Sequence, residues 1–330
     1  MPVRMKDIAR DLGISPMAVS KALRNHKDIG EETKERVRKR AAELNYRMDW
    51  VARSMVTGRT YLVGLVVPDL MQSFFAEIAN ALTTALAPAG YHLLISNSGE
   101  SGEAEAANID LLVARKVDGL IIASAQRNAK AFKALKTPYA LIDRQVPSLK
   151  ANYVGTRNED IGFVATRHLV EQGCKRIAHL KGPALSTAQG RLKGYRRALE
   201  KSRLAFETGL VEQAGHDDIS GYQAMKRLLA GRQRPDGVFC FNDPVATGAM
   251  RAILEEGLSI PGHIAVIGAA NMHFSDMFRV PLSTVDQGTS AMGAEAAKLL
   301  LARMTARKPP PAKEIFLPPR LIVRASSRRL

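Results

Sequence analysis

RMKDIARDLGISPMAVSKALRN (residues 4–25), IGEETKERVRKRAAELNY (29–46) and RMDWVARSMVTGR (47–59) decide how the rest of the chain is read. Ile8, Ala9 and Leu12 recur at helical spacing, and Gly13 follows where a helix would stop, because glycine enters the left-handed region cheaply. Ser15 and Pro16 then form a start signal: the hydroxyl accepts an orphan backbone N–H, while proline has none to lose. The next helix therefore begins at Pro16, with Val19, Ala22 and Leu23 inward and Pro16, Met17, Ser20, Lys21 and Arg24 outward. A third helix is expected from about Glu31 to Asn45, with Val37, Ala41 and Leu44 inward. Two short helices joined by a glycine turn, the second exposing polar donors near its start, suit a helix-turn-helix that places a recognition helix in the major groove of DNA.

MKDIARDLGISPMAVSKAL, IGEETKERVRKRAAELNY and VARSM together resemble the start of the lactose-repressor (LacI/GalR) family of bacterial transcriptional regulators. Asp7, Ile8, Ala9, Gly13, Ser15, Val19, Ser20 and Leu23 match its pattern, whereas Leu12, Ala18 and Lys21 replace the usual alanine, threonine and arginine. The resemblance carries recognition roles to Pro16, Met17 and Lys21, with Ser20 and Arg24 on the same face. Lysine donates to guanine O6 or N7, while proline and methionine offer apolar contact, for instance to a thymine methyl. Residues 49–57 resemble the family's hinge helix, which orders on DNA and pushes a leucine into the minor groove. Ala52, Arg53 and Ser54 match, Met55 stands for that leucine, and Met48 replaces a preceding proline. Methionine serves as a wedge in other minor-groove binders. The resemblance assigns Arg53 and Met55 to the DNA contact.

The 330-residue chain carries 48 Lys and Arg against 32 Asp and Glu, a net charge of +16. Residues 1–60 hold fourteen basic and eight acidic side chains (+6), which leaves 34 and 24 (+10) for the remainder. Such a balance favours polyanionic partners and salt-dependent binding, without locating the contact. Cys174 and Cys240 are the two cysteines. They form no disulfide framework or CxxC site, in keeping with a reducing cytoplasm. The first residues lack a secretion signal, and no apolar run approaches a membrane span. Both points argue against a secreted solute-binding protein.

After Arg59 the pattern becomes alternating strand and helix, the mark of parallel sheets covered on both faces. Strands are expected at 61–68, 91–98, 118–124 and 138–143, with helices at 74–90, 103–116 and near 129–136. The alternation restarts with strands at 153–156, 176–182, 211–215, 237–243, 264–270 and 282–287. Helices at 158–173, 190–202, 219–231, 244–257 and 288–305 separate them, and EIFLPPRLIVRAS ends the chain. The expected fold class is α/β: a helix-turn-helix head at 1–47, a hinge helix and linker at 48–60, and two doubly wound subdomains of periplasmic-binding-protein-like type at 61–330. The resemblance implies three crossings, near 157, 287 and 320. The N-subdomain then comprises about 61–157 and 288–319, and the C-subdomain about 158–287 and 320–330. Ligands of such sheets sit outside the carboxyl ends of the strands. Two half-sites and paired hinge helices require a two-fold homodimer.

The resemblance also assigns effector-binding positions to Phe75, Asp143, Arg191, His216, Asn242 and Gln287. Two carboxylates common in the family are missing: Ala270 stands for one, Arg157 for the other. With Arg191 retained, this suggests an anionic or non-sugar effector such as a sugar acid, a phosphorylated sugar or a nucleobase. The competing reading is a neutral-sugar site merely reshaped by Ala270. The seven histidines show no metal spacing, neither cysteine has an evident base nearby, and no cofactor or catalytic residue is expected. GTSAMGAE (288–295) lacks the GK[ST] ending of a phosphate loop, so Gly288 and Gly293 are read as helix-start and packing positions. The expectation is a cytoplasmic, sequence-specific DNA-binding regulator, a repressor controlled by a small molecule bound in a cleft. The alternative is a cytoplasmic sensor of a ligand or protein partner with only nonspecific nucleic-acid affinity.

Overall fold

A computed structural model describes residues 3–47, 54–55, 57–231, 234–308 and 310–329. The chain divides into two compact units, Met1–Thr60 and Tyr61–Leu330. In the first unit, helices α1 (Met5–Leu12), α2 (Pro16–Leu23) and α3 (Glu31–Glu43) enclose Ile8, Ala9, Val19, Ala22, Val37 and Ala41. Their boundaries follow local chemistry. Gly13 caps α1 at φ 66°, and the Ala18 N–H donates to Ser15 Oγ at 3.1 Å to open α2. Helix α3 stops at Glu43 rather than at Asn45, because Asn45 turns into the left-handed region at φ 49°.

Met48 and most of the expected hinge helix at 49–57, including Ala52 and Arg53, lie outside the described residues. Ser54, Met55 and Thr57 are helical, the Gly58 N–H donates to the Ser54 carbonyl at 2.8 Å, and Gly58 takes φ 67°.

The second unit contains two six-stranded sheets. The first sheet comprises β1 (Leu62–Val67), β2 (His92–Asn97), β3 (Gly119–Ile122), β4 (Tyr139–Ile142), β5 (Asn152–Thr156) and β11 (Glu314–Leu317), in the order β11-β5-β4-β3-β1-β2 and parallel throughout. Helices α4 (Ser73–Leu86), α5 (Gly102–Ala114) and α10 (Thr289–Thr305) cover it. The second comprises β6 (Ile177–Lys181), β7 (Val211–Gln213), β8 (Gly237–Cys240), β9 (Ala265–Ala269), β10 (Ser283–Asp286) and β12 (Arg320–Ile322), in the order β12-β10-β9-β8-β6-β7. Its β12 edge runs antiparallel. Helices α6 (Asn158–Glu171), α7 (Ser186–Lys201), α8 (Asp218–Leu229) and α9 (Asp243–Glu255) cover it.

Strand interiors such as LVGLVV and GVFC are buried on both faces, as parallel strands between helices must be. Two differences from the sequence reading, near 129–136 and at the start of α7, have physical causes. The region near 129–136 is only a 3-10 turn, Ala129–Phe132, anchored by buried Phe132. Helix α7 begins at Ser186, since Gln189 and Gly190 continue the turn that Leu185 starts. The tail splits at Pro318-Pro319 into one strand for each sheet, because proline cannot donate to a ladder. Gly288 caps α10 at φ 71°, and a Cβ on Gly293 would lie 2.6 Å from Ala81 Cβ.

Candidate functional site

In the head, α2 turns Val19 and Ala22 into the core and leaves Pro16, Met17 and Arg24 exposed, with Ser20 and Lys21 half-buried beside them. Two cations on this face already have partners. Lys21 Nζ lies 3.2 Å from Asp28 Oδ2, and Arg24 Nε donates to the Ser20 carbonyl at 3.1 Å. Asp28, seven residues downstream of Lys21, was not a candidate in the sequence. Its carboxyl is held below the usual range by the Lys21 hydrogen bond first, then by His26. Met55 is exposed. Arg53 lies outside the described residues.

In the second unit, a cavity of about 30 Å³ lies between the carboxyl ends of the two sheets. Phe75 from α4, Asp143 after β4, Arg191 from α7, Asn242 at the start of α9 and Gln287 after β10 all line it. The local folding explains each placement. Asn242 caps α9, accepting from the Val245 N–H at 2.9 Å. Asp143 sits at φ 61°, a left-handed turn that asparagine and aspartate tolerate, and burial pushes its carboxyl upward against the pull of Arg144 and Arg191. Arg191 projects from the buried face of α7, one turn beyond Thr187. That face meets α6 at very close range: a Cβ on Gly162 would lie 2.1 Å from the Arg191 carbonyl, and one on Gly194 would lie 1.9 Å from the Glu159 carbonyl.

Arg191 is 3 % exposed, and its hydrogen bonds to described residues go to neutral acceptors. Nε donates to Asn158 Oδ1 at 3.0 Å, Nη2 to Gln287 Oε1 at 3.2 Å, and Nη1 to the Phe241 carbonyl. Burial lowers its pKa to about 10, so it stays charged at neutral pH. Arg144 forms a two-pronged pair with Glu100 at 2.7 Å and 2.7 Å, and its Nε lies 3.8 Å from Asp143 Oδ2. Three buried polar atoms of the lining, Ser73 Oγ, Arg144 Nε and Thr187 Oγ1, make no hydrogen bond. Buried polar groups are ordinarily paired, so these atoms leave hydrogen-bonding capacity along the lining.

Two sequence candidates stand elsewhere. His216 is not part of the lining; its carbonyl accepts from Asn242 Nδ2 at 2.9 Å, so it orients a neighbour through backbone alone. Arg157 is exposed, with its guanidinium 4.7 Å from the Phe316 ring centre. Ala270 does line the cavity, packs with the cluster containing Phe74 and Phe75, and has φ 153°. Arg144, Thr187 and Phe241 were missed, although each adjoins a candidate in the sequence or lies one helical turn from it.

The comparisons with known proteins match this arrangement. Residues 4–49 match the family model "Bacterial regulatory proteins, lacI family", and residues 166–327 match "Periplasmic binding protein-like domain". The chain is 30% identical over 332 residues to the HTH-type transcriptional repressor PurR of Histophilus somni (strain 129Pt), with 99% of each chain covered. The PurR repressor of Mannheimia succiniciproducens is 30% identical over 331 residues, again with 99% of each covered. Among solved structures, the lac repressor dimer bound to operator and the anti-inducer ONPF superposes with a TM-score of 0.84 at 27% identity, covering 99% of each chain. The complex of the regulator CelR with cellobiose gives 0.75 at 27% identity, covering 98% of this chain and 99% of that one. With its helix-turn-helix head, two-sheet second unit and full-length likeness to these repressors, the chain belongs to the lacI family of bacterial regulatory proteins.

Proposed function

We propose that this protein is a transcriptional repressor that binds DNA as a homodimer and releases or holds it according to a small molecule in the cleft. The head at 1–47 reads the operator, 48–60 forms the hinge, and 61–330 binds the effector and pairs the protomers. Pro16, Met17, Ser20, Lys21, Arg24, Arg53 and Met55 contact DNA. Phe75, Asp143, Arg191, Asn242 and Gln287 contact the effector. The protein works by binding rather than by catalysis, as its relatives named as repressors do. It acts in the cytoplasm, where its DNA lies; no described helix is long and apolar enough to cross a membrane.

The observation that carries this reading is the cavity that brings Asp143 of one subdomain to Arg191 of the other. About 30 Å³ holds roughly two waters, so a larger guest must part the subdomains. A guest that favours one separation shifts the population of that state, and with it the placement of the hinges.

The guest we favour is neutral and polar. Arg157 points away, Arg144 is neutralised by Glu100, and Asp143 faces Arg191, so the lining has no net positive charge to reserve for an anion. A molecule with hydroxyl donors for Asp143, an acceptor for Arg191 and an apolar face for Phe75 fits this lining, and a sugar is one. Thermal unfolding against neutral sugars, sugar acids, sugar phosphates and purines tests it. A ligand at one hundred times its Kd stabilises by about 2.7 kcal/mol. We expect a neutral polyol or sugar to raise the midpoint, and Arg191→Ala and Asp143→Asn each to abolish the rise. A rise confined to anions, or one that survives both substitutions, contradicts this assignment.

A further inference from the structure

The parallel register of the first sheet brings the amino ends of its strands to one edge: Val63 is level with Gly119, Leu120 with Tyr139, Ala140 with Asn152 and Glu314 with Tyr153. The covering helices end there too. A Cβ on Gly119 would lie 2.7 Å from Met304 Sδ, which places the carboxyl end of α10 at the amino end of β3. The segments that converge on this edge are strongly basic. Arg115 ends α5, Lys133 and Lys136 precede β4, Lys150 precedes β5, and Arg307 and Lys308 follow α10. All six are exposed, and none forms an ion pair with a described carboxylate. The nearby carboxylates are occupied: Asp118 accepts from the Tyr61 N–H at 2.9 Å, and Glu314 from Gln145 Nε2 at 3.4 Å. At the opposite edge carboxylates gather, Asp69 after β1, Glu100, Glu103 and Glu105 after β2 and Asp143 after β4, beside Arg127 and Arg144. The stretches 61–157 and 288–319 that build the first sheet carry fourteen basic and ten acidic side chains, +4, and the excess is weighted toward this amino edge.

The basic edge is also where the chain arrives from the head. Thr57 is helical and Leu62 begins β1, so four residues join them, and the two lie at most ~18 Å apart along extended chain. A duplex held by residues up to 57 is thus tethered to the amino end of β1, on the edge that carries the six cations. We propose that this edge is a second DNA-contact surface, which holds the phosphate backbone flanking the operator without regard to sequence. Unpaired lysines and arginines on a solvated edge suit phosphate, whose neutralisation releases counterions. This inference rests on the DNA-binding reading above.

The test is operator affinity of the full-length protein as a function of salt, for the wild type and for the triple variant Lys136→Ala, Arg307→Ala, Lys308→Ala. Each lost phosphate contact flattens the slope of log K against log salt by about 0.9. Six contacts are at stake in a dimer, so we expect the slope to flatten by up to about 5, with the preferred sequence unchanged. The three side chains are exposed and unpaired, so the thermal midpoint should hold, and reversal of the same three to glutamate should flatten the slope further. A slope equal to the wild type's overturns the proposal and leaves the edge to an acidic protein partner or to none. Wild-type protein that selects no sequence at all would instead overturn the DNA-binding reading, so the two failures are distinguishable.

Discussion

Lys21 stands on the outward face of α2, but its ammonium is held by Asp28. Asp28 is exposed and Lys21 half-buried, so the pair is weakly held and exchange for guanine O6 and N7 is affordable. Lys21→Ala is expected to relax preference at one base pair per half-site, by about 1–3 kcal/mol, as read by affinity against single-base variants of the operator. Unchanged preference would remove Lys21 from base reading and leave it to Asp28. The residue scale also shows where the sequence ceases to be legible. Ser15, Pro16 and Gly13 declare themselves locally, because capping depends on neighbours one turn away. The side chain of Arg157 depends on Phe316, 159 positions later, so motif alignment alone could not decide whether it charges the cleft. His216 occupies the expected stretch of chain yet offers only its carbonyl, a distinction that backbone geometry makes and residue type does not.

At the level of elements, the site depends on how closely α6 and α7 approach. Gly162 and Gly194 let the two backbones meet, and that contact sets Asn158 against the guanidinium of Arg191. Gly194→Ala would drive a methyl into the Glu159 carbonyl and the Phe163 amide. Overpacking of this kind costs about 1–3 kcal/mol, measurable as a lower denaturant midpoint, and should also shrink the ligand-induced thermal shift. Wild-type stability together with a full ligand shift would show that the helices can separate without disturbing the site. Element order was legible because buried parallel strands read as apolar runs and helices as amphipathic ones. Element ends were less so. The 3-10 turn at Ala129–Phe132 and the three-residue β7 owe their extent to tertiary packing around Phe132 and Leu210, which no local signal records.

On the scale of the whole molecule, the second unit is two sheets joined by three strands of chain, at residues 157, 287–288 and 318–319, with Gln287 on one crossing bonded to Arg191. That connectivity allows the subdomains to turn on one another while each keeps its core, the kind of two-state element that couples a cleft to a distant contact. The likeness to the lac repressor over 99% of both chains extends through head and second unit alike. The coupling of sequence reading to ligand response is what makes this protein a regulator. Its most direct test is to select duplexes from a random pool with the full-length protein and then measure affinity for the winner with and without the ligand found by thermal shift. We expect a pseudo-palindromic site whose half-sites match a two-fold dimer, and an affinity that the ligand changes by about 5–150-fold, the range of ordinary allosteric coupling. Binding that follows salt but ignores sequence, or a selected site to which the ligand is indifferent, would contradict it.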